Sequence, residues 1–389
     1  MKTTGDHQLV KQLNRSVLLR LLRMHPGLSR AQLAHSSGLT KSTVSLLVRE
    51  LIDEKWLCDH DATSATGLGR PSTPVYIDAN CRVLMGLEIA VAVLRLVGVN
   101  LLGAVLWSEE ETLTSHEPDD VCRQAATMIG RACTRIQTNH LTLTGMGVGV
   151  PGAFNEATGN ISFAANLGWW NISFQSKFTT AWTQAGLPPI PVHIQNEADT
   201  AALSEYEFGE VQATQSSLIY VTCDEGVGAG IILNDRLFTG RLGMAGEVGH
   251  STLQLGGALC SCGRRGCAET FFGRKALDRL PDPSLGGHYL AMVLHNLWTS
   301  FDPYAFVLGG PSCERYPRIV AVAQTALQDY AQQAGMSAPP VRTARYGLWA
   351  PAVGAAALVL HHQLRPLHRD RTHRNKSDRT TAHIGDPNR

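Results

Sequence analysis

Long apolar runs are missing from this 389-residue chain. None reaches the ~20 residues a membrane-spanning helix needs, so no membrane partner is expected. Residues 1–11 are polar and lack the apolar core of a signal peptide. Net charge is almost absent, with 34 Lys+Arg against 33 Asp+Glu. Charged residues make up only 17% against 44% hydrophobic, which excludes disorder of the whole chain. Cysteine is sparse and odd in number, nine in all, with three inside eight residues. That argues against a disulfide framework and for a cytoplasmic protein with a metal site. The length suggests two or three domains.

The small net charge hides an asymmetry. Residues 1–80 hold 10 Lys/Arg against 7 Asp/Glu, residues 361–389 hold 7 against 3, and the middle holds 17 against 23. A mildly basic head on an acidic body fits nucleic-acid binding at one end and another task in the body. Residues 11–25 read as an amphipathic helix with Leu13, Val17, Leu18, Leu21 and Leu22 on one stripe, stopped by Pro26-Gly27. Ser29 and Gln32 form a capping-box pattern, Gly38 permits a tight turn, and Thr40 caps a third helix. Short strands are expected at Trp56-Leu57 and Val75–Ile77, around a loop containing Gly67-Leu68-Gly69-Arg70-Pro71.

This is the winged helix-turn-helix plan, whose second motif helix lies in the major groove. Val44, Leu47 and Leu51 face inward and leave Lys41, Ser42, Thr43, Ser45 and Arg49 for bases and phosphates. Arg70 is placed to enter a narrow minor groove. The bland alternative is a three-helix packing module without a DNA role. Two-fold assembly, as a homodimer or homotetramer on a palindromic operator, is expected because one winged helix gives a small footprint.

Beyond residue 80 the pattern is mixed α/β in two similar halves. Apolar runs at Leu84–Ile89, Val91–Val99 and Leu101–Trp107 suggest an antiparallel meander. Strand-like runs follow at 145–150, 190–195, 217–223, 229–233 and 305–308. Helical patterns lie near 118–138, 174–186, 197–208, 284–300, 316–333 and 351–363. From His362 the chain is polar and basic and reads as a disordered tail. The expected division is 1–79, 80–361 and 362–389.

His250 followed by Cys260, Cys262 and Cys267 supplies four ligands for one tetrahedral zinc. A redox pair would normally be C-x-x-C, and three unrelated thiols are the remaining alternative. Four protein ligands close the site, so the metal would be structural. Cys58, Cys81, Cys122, Cys133, Cys223 and Cys313 read as small core hydrophobes.

Several separate motifs carry a family resemblance over about residues 11–360. They are Gly149-Val150-Pro151-Gly152, Asn166-Leu167-Gly168-Trp169, Asn196-Glu197-Ala198-Asp199, Gly226-Val227-Gly228-Ala229-Gly230, Glu247-Val248-Gly249-His250 and the cysteine cluster ending in Glu269. In these the chain resembles the ROK family of bacterial sugar kinases and sugar-responsive repressors. The resemblance implies the actin-like (ribonuclease H-like) two-lobed ATPase fold, preceded by a winged helix-turn-helix in repressor members. It also implies sugar contacts at Gly152, Asn166, Asn196, Glu197, Glu247, His250 and Glu269, with His250 shared between zinc and sugar. Carboxylates and amides suit sugar hydroxyls, each a donor and an acceptor. Asn196, Glu197 and Glu269 have a plainer alternative as helix-start residues, and Trp169 as a core residue.

Two functions compete, a sugar kinase and a sugar-sensing regulator. The family's kinases carry Asp-x-Gly-Gly-Thr on the first strand; here Glu88-Ile89-Ala90-Val91 stands there. Asp224-Glu225 replaces the Gly-Thr before the second glycine loop and would repel phosphate. Glu197 replaces the family's catalytic Asp. Phosphoryl transfer depends on positioning and charge neutralisation, so no enzymatic activity is expected. A repressor that docks proteins and has lost its sugar is a third reading. The motifs look most like those of the xylose repressors, so the expected effector is an unphosphorylated aldose, D-xylose before D-glucose, that releases DNA.

Overall fold

The computed structural model describes residues 7–59, 73–209 and 217–365. Three helices open the chain: α1 (His7–Met24), α2 (Arg30–Ser37) and α3 (Lys41–Asp53). Strands β1 (Leu57–Asp59) and β2 (Val75–Ile77) pair antiparallel behind them. Local chemistry sets these boundaries. Ser29 Oγ accepts from the Gln32 amide while Gln32 Oε1 accepts from the Ser29 amide, a complete capping box. Gly38 ends α2 at φ 70°, a left-handed conformation that side chains disfavour. Thr40 Oγ1 accepts from the Thr43 amide and starts α3. The 60–72 loop, with Arg70, lies outside the described residues.

Two five-stranded sheets follow. The first is built from β3 (Arg82–Ile89), β4 (Val93–Val99), β5 (Val105–Thr112), β6 (Thr142–Val150) and, later, β10 (Val192–Asn196). Helix α4 (Pro118–Thr138) precedes β6. A small sheet of β7 (Phe154–Asn155), β8 (Asn160–Ala164) and β9 (Trp169–Ile172), then helix α5 (Phe174–Gln184), separates β6 from β10. Helix α6 (Glu197–Phe208) follows directly. The second sheet holds β11 (Leu218–Cys223), β12 (Val227–Leu233), β13 (Arg236–Leu237), β14 (Ala305–Gly309) and β15 (Val341–Thr343). Around it run α7 (Glu269–Phe272), α8 (Arg274–Leu277), α9 (Gly286–Phe301), α10 (Pro311–Arg315) and α11 (Pro317–Gln333), and α12 (Ala350–Leu364) is the last element among the described residues.

The sheets share one topology. The orders β10-β6-β3-β4-β5 and β15-β14-β11-β12-β13 match position for position. In each, the first strand is central, with an antiparallel meander on one side and two parallel strands on the other. This is the expected two-lobed actin-like plan. Helices α6 and α12 lie between the lobes. α6 packs on β11 and β12, α12 packs on β3 and β6, and the two pack on each other. Each lobe has its own apolar cluster. A third cluster joins Leu18 and Leu22 of α1 to Val353 and Leu360 of α12 and Leu203 of α6.

Three expectations need correction. The third meander strand is β5 at Val105–Thr112, because Asn100 Oδ1 accepts from the Leu102 and Ala104 amides and turns 101–103 into a loop. Helix α12 runs to Leu364, so the expected start of the tail at His362 falls inside it. Residues 366–389 lie outside the described residues. Cys58 and Cys81 are half-buried rather than in the core, whereas Cys122, Cys133, Cys223 and Cys313 are buried as expected.

A Cβ on Gly354 of α12 would collide with the Thr200 carbonyl of α6. Both atoms are backbone or its direct extension, so neither can rotate away. Gly354→Val should destabilise the protein by about 1–3 kcal/mol or more, as overpacked sites do. Chemical denaturation with an unchanged midpoint would contradict this packing.

Candidate functional site

Gly152, Asn166, Asn196, Glu197, Glu247, His250 and Glu269 line one cleft between the lobes. They come from five stretches of the chain, and the fold brings all seven together. Gly152 follows β6, and its carbonyl accepts from Asn196 Nδ2 at 2.8 Å. Asn196 Oδ1 accepts from the Ala198 and Asp199 amides, so this residue caps α6 and lines the cleft at once. Glu197 is the first residue of α6. Asn166 sits in the turn between β8 and β9, near Glu269 across Gly226. Trp169 is buried, stacks on Phe174 and donates its Nε1–H to the His116 carbonyl, so it is a core residue.

The cleft is strongly acidic. Burial, reinforced by Glu88, Asp224 and Glu247, pushes the Glu197 carboxyl well up. Burial, with Glu269 beside it, pushes Glu247 up to about 7. Sequence reasoning did not place Arg95 here. It stands opposite Glu88 across the β3–β4 hairpin, donates to Glu88 at 3.2 Å and to Glu110 at 2.7 Å, and lines the cleft. The tight turn at Val91-Ala92 was a usable signal, since it makes 88 and 95 cross-strand partners. Burial still pushes Glu88 up to about 7, with the Arg95 guanidinium opposing. On the other wall Glu225 is paired with Arg274 and with Lys275.

The nitrogen of His250 and the sulfurs of Cys260, Cys262 and Cys267 lie within 4.8 Å of one another. Cys260 Sγ is 3.6 Å from His250 Nδ1, and the Cys262 and Cys267 sulfurs are 3.8 Å apart. A tetrahedron with metal–ligand bonds of ~2.0–2.3 Å has edges of about 3.3–3.8 Å, which these two separations match, so the four residues could hold one metal ion. The other ring nitrogen of His250, Nε2, is 3.9 Å from Glu247 Oε2. Glu269, which starts α7, accepts from Ser261 Oγ at 2.9 Å within the same loop. The Cys/His cluster and the cleft therefore share His250, with Glu247 and Glu269 on either side.

On the helix-turn-helix, Lys41, Ser42, Ser45 and Arg49 are exposed on α3. Thr43 is half-buried, and its hydroxyl is tied to Thr40 Oγ1 at 2.8 Å. Ser45 Oγ donates to the Lys41 carbonyl. Leu46 escaped the sequence reading and is 57% exposed on the same face. An apolar residue there suits a thymine methyl, and the break in the i, i+3, i+7 stripe at position 46 was the available signal.

A helix-turn-helix head on a two-lobed body with an acidic, amide-lined cleft defines a ligand-binding regulator class of protein. The ROK family model matches residues 86–283, and an IclR helix-turn-helix domain model matches residues 16–58. The chain belongs to the ROK family. It is 31% identical over 274 residues to a putative xylose repressor of Caldicellulosiruptor sp. (strain Rt8B.4), covering 70% of this chain and 67% of that protein. It is 27% identical over 385 residues to the xylose repressor of Bacillus spizizenii, covering 92% and 98%. A solved ROK family transcriptional regulator, a homologue of the E. coli MLC protein, superposes with a TM-score of 0.74 at 20% identity, covering 92% of this chain and 98% of that one.

The buried Glu88 makes a pH test possible. Folded protein keeps the Glu88 proton to about pH 7, whereas unfolded chain loses it near 4.5. Over that window the folded state binds the extra proton, so stability falls as pH rises. Glu88→Gln should raise the melting temperature, relative to wild type, more at about pH 8 than at about pH 5. An equal or reversed difference would contradict the dominance of burial over the Arg95 pair.

Proposed function

We propose that the chain is a sugar-responsive transcriptional repressor. The observation that carries this reading is the convergence of seven polar cleft residues in a chain that also carries a helix-turn-helix. The names of the relatives support it. The chain divides functionally into a DNA-binding head at 1–79, a sugar-binding body from residue 80 to the end of α12 at Leu364 and a basic tail beyond. Operator contacts come from Lys41, Ser42, Thr43, Ser45, Arg49 and Arg70, with Leu46 added. A homodimer or homotetramer places two heads on a palindromic site. Among the described residues no helix is long and apolar enough to cross a membrane.

The effector is an unphosphorylated aldose, D-xylose first and D-glucose second. Glu269 accepts from sugar hydroxyls, Glu197 and Glu247 accept or, where burial keeps their proton, donate, Asn166 does both and Asn196 has one Nδ2–H left to donate, and a phosphate among these acidic groups would gain no countercharge from them. The metal is zinc, one per chain, held by His250, Cys260, Cys262 and Cys267. It would fix the loop between Glu247 and Glu269 and orient His250 toward the sugar. Phosphoryl transfer is not expected. The Glu88–Arg95 pair and the two acidic residues Asp224 and Glu225 stand where the family's kinases hold nucleotide phosphates, and Arg274 and Lys275 are already paired with Glu225.

Calorimetry with xylose, glucose, N-acetylglucosamine and their phosphates tests the effector. Xylose should bind, its 5-phosphate should not, and Glu247→Ala should lose the heat signal. Binding of phosphorylated sugars alone would overturn the carboxylate argument. Elemental analysis of metal-replete protein should give about one zinc per chain, lost in Cys267→Ala. Folded, sugar-binding protein without zinc would refute the assignment. Lys41→Ala should weaken operator and random DNA by the same factor and reduce the salt slope by about one. Loss of operator affinity alone would place Lys41 on a base instead.

A further inference from the structure

Helices α6 and α12 both start at the cleft and both end at the DNA-binding head. Glu197 at the start of α6 and Pro351 near the start of α12 line the cleft. At the far end of α6, Glu207 is buried and accepts from three groups. Arg23 Nη1 reaches it at 2.6 Å from α1, His361 Nδ1 at 2.7 Å from α12, and Arg365 Nη1 at 2.6 Å from just beyond α12. Burial would raise the Glu207 carboxyl, but the His361 hydrogen bond and the charges of Arg23 and Arg365 hold it well below the usual range. The Arg23 guanidinium also lies 5.9 Å from the centre of the Phe208 ring, the last residue of α6.

The joint around this cluster is loosely filled. A cavity of about 430 Å³ separates Val17, Leu21 and Met24 of α1 from Leu102, Phe208 and Leu364 of the body. This space opens to solvent beside the exposed Met24 and Leu102, so α1 and the body are not packed together along this edge and the seam has room for relative motion. A second polar tie between head and body, among the described residues, is at the covalent link. There Arg82 donates to the Glu54 carbonyl at 2.7 and 2.9 Å and lies over the Trp56 ring. That contact can pivot, whereas Arg23–Glu207 must break or shift if the head turns. Within the head, Lys11 pairs with Glu50 and Arg15 with Glu54, so α1 and α3 move together.

We infer that the Arg23–Glu207 contact is the latch through which the cleft sets the orientation of the DNA-binding head, a reading that rests on the sugar-responsive function proposed above. Closure of the lobes on a ligand pivots α6 on α12 about their tight contact at Thr200 and Gly354, so the displacement is carried to the far ends of the two helices. That moves Glu207 relative to His361 and Arg365. Arg23 then loses its geometry and the head is released to turn about Arg82. Two packed helices with a charged cluster at one end form a two-arrangement element of the kind coupling requires.

Arg23→Gln is the clean test, since Glu207 keeps Arg365 and His361 and the body retains its buried pair. In full-length protein, operator affinity is measured with and without xylose. Wild type should change by roughly 5–150-fold and Arg23→Gln by less than ~2-fold, with xylose heat still present and Arg23→Lys intermediate. Full wild-type coupling in Arg23→Gln would overturn the latch. A second readout stands apart from the sugar. Without ligand, amide exchange over residues 18–24 should be faster in Arg23→Gln than in wild type. If wild type ignores every sugar but this exchange difference appears, the effector reading fails and the latch stands. Unchanged exchange overturns the latch itself.

Discussion

The close crossing of α6 and α12 is the constraint on which the rest of the molecule depends. Gly354 lies against the Thr200 carbonyl with no side chain between. α12 in turn sits on glycine positions of the first sheet, where a Cβ on Gly147 would strike the Ala355 carbonyl. Each helix packs on the sheet of one lobe and on the other helix. The lobes therefore meet through backbone-close contacts, which transmit small displacements instead of absorbing them. A looser, side-chain-mediated crossing would bind a ligand as well but would report it poorly.

The same geometry explains why a kinase-like body can serve as a switch. The cleft gathers acidic and amide groups that suit a polyhydroxylated ligand, and it also holds ion pairs of its own. Glu88 and Arg95 face each other in the cleft, and Glu225 takes Arg274 and Lys275. A phosphate would have to displace these pairs and sit among carboxylates, which costs more than a neutral sugar does. The Cys/His loop adds rigidity on the ligand side, since His250 faces Cys260 with one ring nitrogen and Glu247 with the other.

Much of this was legible in the residues. The caps at Ser29 and Thr40 and the Gly38 turn are local, so they read directly, and α2 and α3 form where they predict. The ligand set His250, Cys260, Cys262 and Cys267 is also local in spacing, and its atoms converge. The seven cleft residues were found through motif resemblance, because no periodicity joins positions 152 and 269. What stayed hidden is non-local or short. Strands β7 and β13 are two residues long, too brief for an alternation to show. Arg95 needed the hairpin register, and Glu207 needed α1, α6 and α12 placed together. The end of α12 extends past the expected boundary because its last turn is polar, and His361 there is buried against Glu207, where pairing offsets burial.

The central claim is that cleft and head are two ends of one linked equilibrium. Linkage demands reciprocity: the factor by which a sugar weakens operator binding must equal the factor by which operator weakens sugar binding. The direct measurement is calorimetric titration of xylose into the free protein and into its operator complex. The account predicts weaker xylose binding to the complex, by the same factor that xylose lowers operator affinity. Equal xylose affinity in the two titrations would contradict it.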